Sequence, residues 1–238
     1  MATWVTHLII ADKVMEKIPE LDRRGFCVGN IAPDCNVESA DWKSFTPSRK
    51  VTHWMMSESK TAADTERFVT EYMQPHWNDY SAADYHPFLL GYYCHLLTDV
   101  GFQTFIRDEK RVKDAWSRIK KHPVYTDLVN GAEENWDNYK LIMPKNKIMH
   151  ELYCMEAEYL NEHPESSYIS EILPLKEYPD YLDYMPKGCI ARKVEVMGYL
   201  PETEANFEPV VFSRAEYLNF IQHTVEELCR ATDRYAGH

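Results

Sequence analysis

The spacing of apolar residues constrains this chain most: they recur at three- and four-residue intervals through most of its length, the period of a helix with one buried face. Residues 3–18 set Trp4, Leu8, Ile9, Val14 and Ile18 near one such face, with Thr3 or Thr6 as cap. A second helix is expected over Lys60 to Tyr72, ahead of Pro75. Pro87 opens a third over Phe88 to Arg107, a place in a helix where proline is tolerated. Further stretches run over Arg111 to Lys121, Val124 to Tyr139, Lys145 to Glu162 and Ser213 to Tyr235. In the last, Ser213 and Glu216 form a capping box ahead of the stripe Tyr217, Phe220, Ile221, Val225 and Leu228. Residues 164–212 break the pattern with Pro164, Pro174, Pro179, Pro186, Pro201 and Pro209, predicting an irregular excursion with one short hairpin around Ile190 to Leu200. With no internal repeat, the 238 residues read as a single all-α, multi-helix domain, 1–238.

Charge and motif narrow the chemistry. Lys and Arg number 26 against 38 Asp and Glu, a net charge of −12. That balance argues against nucleic acid or a polybasic membrane footprint, although a metal could supply positive charge locally for a phosphate substrate. None of the 8 glycines forms a dinucleotide or P-loop pattern. The N-terminal apolar stretch is short and runs at once into Asp12 and Lys13, unlike a secretory signal. The longest uncharged run, Tyr85 to Thr98, falls well short of the roughly 20 residues of a spanning helix. Cys27, Cys35, Cys94, Cys154, Cys189 and Cys229 show no CxxC pairing, and reduced thiols in a cytoplasmic protein are the simplest expectation.

The informative residues are histidines and aspartates. His95 and Asp99 in GYYCHLLTD stand at i, i+4, which puts imidazole and carboxylate on one helix face a turn apart. Asp34 sits in the Gly/Pro-punctuated GNIAPDC, His53 in VTHW, and His7 among apolar neighbours in THLII, where an unpaired ionisable group is costly. Singly, each has a bland reading: a hydrogen-bonded helix pair, a turn residue, a core or cap histidine. Together they make a nitrogen and oxygen set suited to zinc, with manganese or iron as alternatives.

In their order, Trp4 and His7 in WVTHL, Asp34 in GNIAPD, His53 in THW, and His95 and Asp99 in GYYCHLLTD, these elements resemble the zinc-dependent phospholipase C family. That all-helical superfamily also holds the S1/P1-type nucleases, and the chain is similar to the N-terminal domain of glycosylphosphatidylinositol-specific phospholipase D as well. The resemblance covers roughly the first 107 residues. It implies a phospholipase C and P1 nuclease-like fold and one to three zinc ions. Asp34, His53, His95 and Asp99 would ligate one zinc, and Asp99 would bridge to a second bound by His7. It further implies attack on phosphorus by a zinc-activated water with Asp34 accepting its proton. The substrate would be a phosphoester small molecule or phospholipid head group.

Three positions depart from the family pattern. Trp4 has three residues ahead of it, so its amine lies in a peptide bond rather than free at the chain start. Gln103 in GFQTF stands where a further histidine is expected. The only HxxxE, His223 and Glu227, comes much later than the pattern puts it, and is a second-site pair or a surface ion pair. His150 and Glu151 diverge by about 100° on their helix. Tyr178, Tyr181 and Tyr184 either pack the proline-rich segment or line an apolar cleft. Two functions are therefore weighed: a zinc-dependent phosphodiesterase, and a helical scaffold or binding protein that keeps one structural metal.

Overall fold

The computed structural model describes residues 2–57, 63–129, 131–202, 204 and 207–235. Its first helix, α1 (Trp4–Met15), starts where the Thr3 side chain accepts from the Thr6 amide, and Leu8, Ile9, Ile10 and Val14 are all fully buried. A helix apolar on nearly every side belongs at the centre of a bundle, and α1 lies there. Asp22 caps the short α2 (Arg23–Gly29), which a 3₁₀ turn over Ala32–Asp34 follows directly. Two short strands, β1 (Val37–Glu38) and β2 (Phe45–Thr46), then pair antiparallel with Val37 opposite Thr46. Next come α3 (Arg49–Thr52) and α4 (Thr65–Phe68), the latter continuing into a π-turn over Val69–Met73.

The longest element is α5 (Tyr85–Arg107), and its crossing with α2 fixes the interior. A Cβ on Gly29 would stand 2.1 Å from the Phe88 carbonyl oxygen, and one on Gly91 2.2 Å from that of Phe26. The two backbones therefore touch, a spacing only glycine permits. The second half of the chain adds α6 (Glu109–Ile119), α7 (Trp136–Ile142), α8 (Lys145–Glu162), α9 (Cys189–Met197) and α10 (Arg214–Thr232). The capping box at Ser213 and Glu216 is present, and α10 packs on α1 and α5. One continuous apolar core runs from α1 to α10.

The all-α expectation holds, with local corrections. The hairpin expected around Ile190 to Leu200 is the helix α9: Ile190 and Val194, four apart, are both buried, a helical rather than an alternating pattern. The hairpin present lies at residues 37–46 instead, where Trp42 takes a positive φ at the turn. The helix expected over Val124 to Tyr139 is divided at Gly131, whose φ is +77°, into a 3₁₀ turn at Thr126–Leu128 and α7. α5 begins at Tyr85, so Pro87 sits inside its first turn. Residues 60–62 of the second expected helix lie outside the described residues.

Tyr178, Tyr181 and Tyr184 of the proline-rich segment pack inward. Tyr181 lies edge-on to Tyr85 and Phe88, and the Tyr184 hydroxyl donates to that of Tyr92. All six cysteines are free thiols. Among the described residues no helix is long and apolar enough to cross a membrane.

Candidate metal centre

Four segments converge beneath the α2–α5 crossing. His7 comes from α1, Asp34 closes the 3₁₀ turn, Arg49 and His53 bracket α3, and His95 and Asp99 share one face of α5. Because Gly29 and Gly91 let the helices touch, the chain leaving α2 presents the Asn30 carbonyl oxygen 2.7 Å from His95 Nδ1. A carbonyl only accepts, so His95 carries its proton on Nδ1 and its lone pair on Nε2. Burial, and then the neighbouring His7, pushes the ring down to about 3, which keeps it neutral.

His53 is fixed in the same way. An Arg49 guanidinium nitrogen, which can only donate, lies 2.8 Å from its Nε2, while Nδ1 is 2.9 Å from the Thr52 hydroxyl. Both Nε2 atoms thus present lone pairs, and they face each other at 3.3 Å. Two lone pairs held together in a buried site call for a cation between them. Around them, Asp34 Oδ1 is 3.3 Å and Asp99 Oδ2 3.6 Å from His53 Nε2. A tetrahedral zinc with bonds of about 2.0–2.1 Å sets its donors about 3.3–3.4 Å apart, so Asp34 Oδ1, His53 Nε2 and His95 Nε2 suit three donors of a single ion, while Asp99 belongs to the neighbouring group.

His7 extends the cluster. Its ring stacks on His95 with centroids 4.0 Å apart and planes within 6°. Nε2 stands 3.6 Å from Asp99 Oδ1, and neither ring nitrogen has a hydrogen-bond partner although the residue is fully buried. Such an orphaned pair of nitrogens costs stability unless something binds them. Two overlapping donor groups result, Asp34–His53–His95 and His7–His95–Asp99, each with its atoms within 4.8 Å of one another. The Ala2 amide also donates to Asp99 Oδ1 at 3.1 Å.

The aspartates are charged. Burial opposes ionisation of Asp34, but the Arg49 guanidinium beside it outweighs that and holds the carboxyl well below its usual range. Asp99 is likewise held well below its usual range against the cost of burial, its two oxygens accepting from the Ala2 amide and from Arg49 at 3.1 Å each.

A cleft of about 370 Å³ opens beside the cluster, and Asp34 and Arg49 form part of its wall. Trp4, Trp42, Phe45, Tyr153, Tyr168 and Tyr199 supply aromatic surface, and Glu156, Lys145 and Lys193 line it as well. Lys193 is nearly fully buried, bonded to Glu38 at 2.6 Å and set 5.5 Å over the Trp42 and Phe45 rings, which ties the hairpin to α9.

The structure therefore brings His7, Asp34, His53, His95 and Asp99 together. It does not bring the other three site residues to them. The Gln103 side-chain oxygen accepts from Arg107 at 2.6 Å, and His223 pairs with Glu227 at 3.4 Å on the exposed side of α10. Sequence reasoning missed Arg49, whose only signal was its place four residues before His53, and the Asn30 carbonyl, which carries no side-chain signal. A further group joins exposed His150 and Glu204, in contact at 2.7 Å, with the buried Cys154.

Compared with known proteins, residues 6–146 match the sequence model of a family described as zinc dependent phospholipase C, and that span contains every residue of the cluster. No curated protein and no solved structure matches the chain.

Proposed function

The chain belongs to the zinc-dependent phospholipase C family, and from that premise we propose that it is a metal-dependent hydrolase of phosphodiesters, with a phospholipid or a related phosphoester as substrate. The observation that carries the proposal is the convergence of Asp34 Oδ1, His53 Nε2 and His95 Nε2 at separations that suit three donors of one ion, beside a cleft that Asp34 itself lines. His7, with its unpartnered nitrogens, supports a second ion shared through Asp99. A zinc ion bound there supplies Lewis-acid charge for the phosphoryl oxygens and lowers the pKa of a coordinated water.

The protein's own groups do the rest. Asn30 and Thr52 hold the two imidazoles in the tautomer that offers Nε2. Asp34, ionised and at the cleft wall, would take the proton as water adds to phosphorus and pass it to the leaving alkoxide as the P–O bond breaks. The aromatic wall would exclude water and receive the apolar part of the substrate. The net charge of −12 disfavours a polyanionic nucleic acid. One continuous core supports treating residues 1–238 as a single domain, and six free thiols support a reducing, cytoplasmic setting.

The second reading is a scaffold that keeps one structural metal. It is favoured by Gln103, already engaged by Arg107, and by the His223–Glu227 pair, which is occupied with itself. The zinc-loaded protein should be assayed on a chromogenic phosphodiester and on phospholipid vesicles. Turnover that stops on chelation and in His95→Ala is expected. Zinc retention with no turnover on any phosphoester would move the conclusion to the scaffold.

A further inference from the structure

Arg49 has no part in the proposed reaction, yet it occupies its centre. One guanidinium nitrogen lies 2.8 Å from His53 Nε2 and 3.1 Å from Asp99 Oδ2, and the other 3.6 Å from Asp34 Oδ1. Two of those atoms belong to the Asp34–His53–His95 donor group, and Asp99 belongs to the group beside it. The lone pair of His53 Nε2 can serve one electrophile, so Arg49 and a metal cannot both hold it. A permanent guanidinium charge close to a divalent ion would be repelled as well.

The arginine is nonetheless an incomplete occupant. It leaves the His95 lone pair facing that of His53 and leaves both His7 nitrogens unpartnered, whereas an ion would engage these too. A cation that meets only part of a donor set is exchangeable. Once displaced, its side chain, about 30% exposed at the cleft wall, has open space beside it. A planar fork of donors suits two oxygens of one phosphoryl group. Of the other cleft cations, Lys193 is already bound to Glu38.

We propose that Arg49 is a resident cation that holds Asp34, His53 and Asp99 in the metal's place and, when a metal takes those atoms, passes to the phosphoryl group of a substrate in the cleft; this rests on reading the cluster as a metal centre. Arg49 thereby keeps the carboxylates compensated in the metal-free protein and makes metal and phosphate binding cooperative.

The test measures zinc affinity by chelator competition for the full chain, Arg49→Gln, Arg49→Ala and Arg49→Lys, and then titrates inorganic phosphate onto each zinc-loaded protein. Arg49→Gln and Arg49→Ala are expected to bind zinc at least tenfold more tightly and phosphate at least tenfold more weakly. Arg49→Lys retains the charge but not the fork. It should keep zinc affinity near the parent value while phosphate binding falls, and it carries the test if the neutral variants fail to fold. Unchanged or weaker zinc binding in the neutral variants would overturn the proposal, as would phosphate binding indifferent to Arg49. Failure of the parent and all variants to bind zinc would remove the metal reading and the proposal together, an outcome distinct from zinc binding that ignores Arg49.

Discussion

His7 is the residue at which stability and function are most plainly opposed. Its ring packs well on His95, but two buried nitrogens without partners cost on the order of 1–3 kcal/mol. His7→Phe keeps the stack and removes those nitrogens. The metal-free variant should gain about 1 kcal/mol in denaturant unfolding and lose tenfold or more in zinc affinity. Equal zinc binding would show that His7 is only a core residue. Glu156 makes a different prediction. Burial lifts its carboxyl from 4.5 to about 7, although Thr3 and Thr6 bond to it. The native state therefore binds the proton more tightly than the unfolded chain does. The stabilisation is complete below about pH 4.5 and is lost as pH rises through about 7, up to on the order of 3 kcal/mol. Glu156→Gln should flatten that decline, which unfolding curves at pH 5 and pH 8 would register. At this scale the sequence showed His95 and Asp99 through their spacing, and His7, Asp34 and His53 through the order of their motifs. Arg49 stayed hidden because an arginine four residues before a histidine reads as a surface cation.

Among the elements, the contact of α2 with α5 governs the site, since it delivers the Asn30 carbonyl to His95. Gly91→Ala would place a methyl 2.2 Å from a backbone oxygen that cannot move away cheaply. A loss of about 3 kcal/mol or more is expected, together with weaker zinc binding as His95 loses its anchor. Gly101, in the same helix, is the control: its nearest neighbour to an added Cβ is Phe220 Cε2 at 3.9 Å. Gly101→Ala should be neutral or stabilising by up to about 1 kcal/mol through helix propensity. Similar losses in both variants would contradict backbone contact as the cause. The long helices were legible from periodicity and caps, as α8 and the Ser213 capping box show. The hairpin was not: β1 and β2 are two residues each, too short for any alternation to register. α9 was obscured by its proline-rich flanks.

Across the whole molecule, an acidic chain gathers its convergent histidines and carboxylates at one buried place next to one aromatic cleft. Placing charge and lone pairs together inside a core is costly, and a bound ion would offset that cost. Chelation should therefore lower the melting temperature of the zinc-loaded protein, with a smaller drop in His95→Ala, which binds less metal to begin with. The cleft was beyond the reach of sequence, because its walls come from α1, the hairpin, α8 and residues 193–201, brought together only by the fold. The most direct measurement is the metal content of the purified, tag-free full chain by elemental analysis, beside His95→Ala, since His95 belongs to both donor groups. At least one zinc per chain in the parent, lost in His95→Ala, is predicted; no metal in the parent, or the same metal content in both proteins, would contradict a metal centre at this site.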